Sequence, residues 1–184
     1  MYEAQARITR GWALTEQGQI QEGIGEMRQG ILEHQQTATA LLRPQYLAWL
    51  SEALGKVGEY EKALGHVDEA LRLAHRSGDA SYLPELHRIR GELLLRQAKG
   101  NFNPRTITDA EECFRRSIKI ARRQEAKSWE LRTSVSLARL YQTQNRAEEA
   151  QEALTLVFGW FTEGFETKDA REAKSLLDDL RKET

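Results

Sequence analysis

Five scarcities narrow what this 184-residue chain can be. It has a single cysteine, Cys113, so no disulfide can form within the chain, and a reducing, cytoplasmic setting is expected. It has 3 prolines and 13 glycines, too few for a long coil or a collagen-like repeat. No apolar run approaches the ~20 residues of a membrane span. The segment Met1 to Gln5 has neither the charged part nor the apolar core of a secretory signal. Charge of one sign is also lacking. The 27 basic and 28 acidic residues leave a net charge of −1, so no overall field exists to hold nucleic acid or anionic lipid. What remains, 40% apolar and 30% charged, fits one soluble domain of ordinary size.

Motifs of catalysis are scarce as well. No Gly-x4-Gly-Lys-Ser/Thr phosphate loop occurs. Gly23-Ile24-Gly25 is too short for a dinucleotide fingerprint and lies in a helical segment. His34, His66, His75 and His87 are scattered, and no two stand four residues apart as ligands on one helix face would. Glu111-Glu112 and Asp178-Asp179 are helix neighbours that point apart, so neither is an acid–base pair. Cys113 has Arg115 and Arg116 close in sequence, which would lower a thiol pKa; the alternative is a small packing residue. The expectation is a chain with no metal, no cofactor and no enzymatic activity.

What the chain does have is a repeat. A small residue, then a large one three positions on, then a turn residue four further, occurs at Gly11–Leu14–Gly18. It returns at Ser51–Leu54–Gly58, Gly91–Leu94–Ala98 and Ala138–Tyr141–Asn145. Self-similarity at such intervals marks a solenoid, and solenoids present extended binding surfaces. Apolar residues recur at three- and four-residue spacing with no period-two alternation, which predicts helices and no sheet. Breakers at Gly18, Gly58 and Ser77-Gly78-Asp79, and prolines at Pro44 and Pro84, punctuate nine predicted helices. These cover about 2–17, 20–36, 43–57, 60–76, 83–99, 107–124, 127–144, 147–160 and 168–182. The segment from Lys99 to Thr106 reads as a loop, with Thr106 or Thr108 capping the next helix.

The register resembles that of tetratricopeptide repeats (TPRs). Its small and large positions in the first helix pair are Gly11, Leu14, Gly18, Gly23, Met27 and Gly30. Those of the third are Gly91, Leu94, Ala98, Ala110, Phe114 and Ser117. The period of about 40 residues exceeds the ~34 usual for that repeat. The resemblance implies an all-α, TPR-like right-handed α-solenoid of four helical hairpins plus a C-terminal capping helix. Its units would be about 2–42, 43–82, 83–126 and 127–166, with the cap at 168–182. Phrases such as "ELHRIRGELLL", "AEECFRRSIKIARRQEAKSWELRTSVSLARL" and "VFGWFTEGFETKDAREAKSLLDDL" are similar to the C-terminal repeat region of large bacterial signalling proteins. Those proteins join a class III nucleotide cyclase or a DNA-binding domain to a STAND-type ATPase and then to repeats. No cyclase or ATPase segment is present in this sequence, so none of that activity carries over.

The same resemblance places the first helix of each pair on a concave wall. The wall residues are then Trp12, Trp49, Glu52, Arg88, Glu92, Arg96, Arg132, Arg139 and Gln142, with Ile8 and Ala48 mapped alongside. Arginines on one wall either fork onto carboxylate or phosphate groups of a ligand or pair with Glu85, Glu92 or a neighbouring helix. Trp12 and Trp49 offer aromatic anchors, or Trp12 packs on the next unit. Trp160, Phe161 and Phe165 read as a seal under the last helix or as a hot spot. The implied function is protein–protein interaction in a bacterial regulatory system, with a protein or peptide partner and no nucleic acid or membrane. Self-association through the uncapped first helix is a further possibility. The competing function is a receptor for an anionic metabolite or peptide.

Overall fold

The structure is a computed structural model that describes residues 2–35, 42–99 and 103–183. Among these residues it is all helix: α1 (Tyr2–Glu16), α2 (Ile20–Gln35), α3 (Arg43–Lys56), α4 (Tyr60–Ser77), α5 (Leu83–Ala98), α6 (Pro104–Arg123), α7 (Lys127–Thr143), α8 (Ala147–Phe158) and α9 (Lys168–Glu183). None of them is long and apolar enough to cross a membrane.

Small residues decide how closely the helices approach. In the first pair, a Cβ on Gly11 would lie 2.7 Å from the Gly23 carbonyl oxygen, and one on Gly23 would lie 2.5 Å from that of Gly11. Two backbones in such contact leave no room for any side chain. In later pairs the same places are held by Ser51, Ala63, Ala110, Ala138 and Ala150, all fully buried. The large positions opposite them, Met27, Val67, Phe114 and Leu154, are fully buried too. Burying each such side chain is worth about 1.5–3 kcal/mol.

The turn inside a pair closes through a left-handed residue, with φ of 88° at Gly18, 81° at Gly58 and 59° at Asn145. A residue without Cβ takes that conformation freely, and asparagine tolerates it. The third pair differs, because α5 runs on to Ala98 before its longer connection. That connection corrects one expectation. The loop ends at Asn103, whose side chain accepts the Arg105 backbone N–H at 3.0 Å, and helix α6 begins at Pro104. Neither Thr106 nor Thr108 is the cap. Proline in the first turn loses no helical bond, and Asn103 supplies the missing acceptor. The first part of the insertion, residues 100–102, lies outside the described residues.

Sequential helices pack as antiparallel pairs, α1 with α2, α3 with α4, α5 with α6 and α7 with α8. The odd-numbered helices also touch in series, α1 to α3, α3 to α5, α5 to α7 and α7 to α9. The backbones of the even-numbered helices α2, α4, α6 and α8 do not approach one another in this way. The array therefore converges along the odd helices and splays along the even ones, which gives one concave and one convex face. A buried polar chain ties the middle together: the Ser117 hydroxyl donates to the Pro84 carbonyl at 2.7 Å and lies 2.8 Å from the Thr133 hydroxyl.

Helix α9 closes the array against α7 and α8 with Ala170, Ala173, Leu176, Leu177 and Leu180. The aromatic seal is smaller than the sequence suggests. Phe158 and Phe161 pack onto the core, whereas α8 ends at Phe158, leaving Trp160 59% and Phe165 44% exposed.

Titratable groups within the stack tie stability to pH. His87 is buried, and its Nε2 finds no hydrogen-bond partner among the described residues. Burial, then the cations Arg116 and Arg90, push its pKa down to about 4. Burial also lowers His34 and His66. The unfolded chain binds these protons first, near pH 6.5, so stability falls as pH drops from about 6.5 to about 4. His87 alone should contribute about 3 kcal/mol to that fall. Denaturant titrations at pH 7 and pH 4.5 should show the loss, and His87→Leu should flatten it. A pH-independent midpoint in the parent chain would remove the assignment.

Candidate functional site

The concave face holds a cavity of about 460 Å³. Its wall is built by one face of each odd helix. Helix α1 contributes Trp12 and Glu16, α3 contributes Trp49, Glu52 and Lys56, and α5 contributes Glu85, Arg88, Glu92 and Arg96. Helix α7 adds Val135, Ser136, Arg132 and Arg139, α9 adds Lys168, Asp169 and Glu172, and Tyr82 enters just ahead of α5. Residues three, four and seven apart share a helix face, which is why Glu85, Arg88, Glu92 and Arg96 line up along α5.

Eight of the nine wall residues named from the sequence thus line one cavity: Trp12, Trp49, Glu52, Arg88, Glu92, Arg96, Arg132 and Arg139. Gln142 does not reach it. It lies in the last turn of α7, past the end of the lined face. Ile8 and Ala48 are fully buried between helices rather than on the wall.

No protein-family model matches the sequence, and no curated protein does. Solved structures do match the fold. TTC0263, a thermophilic TPR protein of Thermus thermophilus, superimposes with a TM-score of 0.72 at 15% identity, over 98% of this chain and 82% of that one. The TPR-like repeats of a Podosopora anserina putative kinesin light chain give 0.68 at 17%, over 98% and 94%. A tetratricopeptide repeat protein from Parabacteroides merdae gives 0.57 at 12%, over 100% and 62%. The fold is a TPR solenoid.

Electrostatics sort the groups on the inner wall of this TPR solenoid. Glu85 is 3% exposed and sits at the centre. Arg88 donates to both its oxygens, at 2.9 and 2.8 Å, and to Glu52 at 2.6 Å. Arg132 donates to Glu85 at 3.0 Å and to Asp169 at 2.7 Å, which links α5 to α9. Burial works to raise the Glu85 pKa, but Arg88 and then Arg132 outweigh it and hold the carboxyl below its ordinary value. Burial likewise works against the Arg88 charge, and Glu85 and then Glu52 more than restore it. Arg139 pairs with Glu172 at 2.6 Å and Lys56 with Glu16 at 2.8 Å, both partly exposed.

The arginines therefore share one wall, but most are engaged within it. Of the two sequence alternatives, pairing within the wall holds at Arg88, whose side chain is only 11% exposed. Its charge is used for building the wall. Arg96 differs: it is exposed and forms no ion pair among the described residues. At one end Trp12 stacks on Trp49, with ring centroids 5.3 Å apart, and remains 37% exposed. Both sequence readings of Trp12 thus apply at once, packing on the next unit and facing the cavity.

Tyr82, Lys168, Asp169 and Glu172 are wall residues that the sequence pattern does not single out. Burial, then Glu85, raises the Tyr82 pKa and keeps its hydroxyl protonated. Lys168 lies close enough to Glu16 to help lower the Glu16 pKa, after the larger effect of Lys56. The superhelix thus brings α9 opposite α1. Cys113 is buried and raised in pKa by that burial, and it contacts Arg90 at 3.5 Å rather than Arg115 or Arg116. That burial accords with the small packing residue of the two sequence alternatives.

Proposed function

We propose that the chain is a single protein-interaction domain of four repeat units, 2–42, 43–82, 83–126 and 127–166, closed by α9. Its partner segment lies in the concave cavity. The observation that carries this reading is the pairing of a rigid wall with two free features. The Arg88–Glu85–Arg132–Asp169 lattice fixes the wall, while Arg96 and the Trp12–Trp49 stack are left available to a ligand. An aromatic anchor and an arginine without an ion pair among the described residues, lining one cavity, give the composition of a binding hot spot. Arg96 favours a carboxylate in the bound segment, because its planar fork matches that group.

The resemblance to repeat regions of bacterial regulators supports a scaffold or sensor role in such a system, in the cytoplasm. A second reading, a receptor for a small anionic ligand, is favoured by size: about 460 Å³ falls within the range of small-molecule sites. A saturating ligand of that kind raises the unfolding midpoint by mass action.

The test is affinity capture from the source cell, with the parent chain and with Trp12→Ala, Arg96→Ala as bait. Neither substitution breaks an ion pair among the described residues, so folding should be retained. Losing the arginine's charge-assisted bond alone should weaken capture about tenfold or more. Equal capture by both baits would move the site off the concave face.

A further inference from the structure

On the convex face the backbones of helices α6 and α8 stand apart, and a groove of about 710 Å³ runs between them. It is larger than the concave cavity. Its origin is the splay of the even helices: its α8 wall, from Glu149 to Leu156, stands in register with Asp109 to Arg116 of α6, so both helices flank it. Helix α6 also runs on to Arg123, whereas α8 stops at Phe158.

The uncovered surface has a definite chemistry. From Arg115 to Arg123, α6 carries Arg115, Arg116, Lys119, Arg122 and Arg123 and no acidic residue. Two of these are engaged, Arg115 with Glu111 at 2.8 Å and Arg122 with Glu130 at 2.7 Å. Arg116, Lys119 and Arg123 are exposed and form no ion pair among the described residues. They stand at i, i+3 and i+7; Lys119 and Arg123 line the groove, and Arg116 lies outside it beside Ile120. Beside the lining cations the floor is apolar, with Ile118 and Leu137, and Leu156 projects from the opposite wall at 72% exposure. That wall also carries Glu149 and Glu152.

We propose that this groove docks an acidic amphipathic helix of a partner protein, laid between α6 and α8. Its carboxylates meet Lys119 and Arg123, and its apolar ridge packs on Ile118 and Leu156. Charge complementarity selects that occupant. A nucleic-acid strand would satisfy the basic side chains but would leave the apolar floor unused and set its phosphates against Glu149 and Glu152. The site is independent of the concave one, since α6 contributes nothing to that cavity.

The experiment uses the full chain and a fluorescein-labelled synthetic helical peptide with glutamates on one face and leucines on the adjoining face. Two further probes are the same peptide with glutamines and an oligothymidylate of matched charge. The glutamate peptide should bind, and the other two should not. Lys119→Glu with Arg123→Glu should weaken binding by about tenfold per lost contact. Leu156→Ser should weaken it as well, and Arg96→Ala should leave it unchanged. Three results would overturn the proposal: no binding of the glutamate peptide, oligothymidylate binding as tight as the peptide with Leu156→Ser without effect, or loss of binding in Arg96→Ala. All substituted positions are exposed, so an unchanged unfolding midpoint should accompany each variant.

Discussion

Gly91→Leu should destabilise the chain by about 3 kcal/mol. A Cβ alone at this position would lie 2.5 Å from Cε1 of Phe114 and 2.9 Å from two further atoms of the same ring. The ring cannot retreat, because Phe114 is fully buried between α5 and α6. The remaining leucine carbons must then separate the two helices, opening contacts along the third pair. For a chain of this size, that loss corresponds to a fall in Tm of about 6–12 °C. Gly65→Leu is the control, because no atom lies within 4 Å of a Cβ built there. Equal midpoints for Gly91→Leu and the parent would show that the small–large register does not set helix approach.

Glu85→Ala is expected to cost about as much or more, through a different mechanism. Removing the carboxylate leaves the Arg88 guanidinium, 11% exposed, with Glu52 alone, and takes from Arg132 one of its two partners. Breaking a buried pair from one side costs about 3–5 kcal/mol, because a charge stays behind without compensation. The double replacement Glu85→Leu, Arg88→Met removes both charges and should recover much of the loss. Chemical denaturation of the three proteins measures this. A single-variant loss below about 1 kcal/mol would mean that water screens the lattice as it does surface pairs.

The helices and the concave wall are legible in the sequence for one reason: both depend on spacing within a single helix. Gly91 and Phe114 keep the small–large register, and Arg88, Glu92 and Arg96 fall on one face by spacing alone. The third unit hides its cap, since Thr106 and Thr108 are reasonable caps and only the backbone shows that Asn103 and Pro104 act first. Lys168, Asp169 and Glu172 cannot be read as wall residues. Their place depends on how far the superhelix turns over four pairs, which no local pattern encodes. The pairing of Arg88 with Glu85, three residues away on α5, is readable as an alternative, but its burial and its bond to Glu52 depend on the approach of α3 to α5, which the sequence does not give. The early stop of α8 is masked because Gly159-Trp160-Phe161 continues its apolar character. The structure instead turns there and leaves Trp160 in solvent.

The most direct test of a concave binding site uses the four tryptophans as reporters. Trp12 and Trp49 line the cavity, Trp129 packs edge-on to Tyr82, and Trp160 sits outside beside Lys127. Indole ¹H–¹⁵N resonances of the full chain, titrated with the partner captured by the parent bait, report each place separately. A concave site predicts that the Trp12 and Trp49 resonances move together and saturate with the binding curve while Trp160 stays in place. Movement of Trp160 with Trp12 and Trp49 unchanged would contradict it.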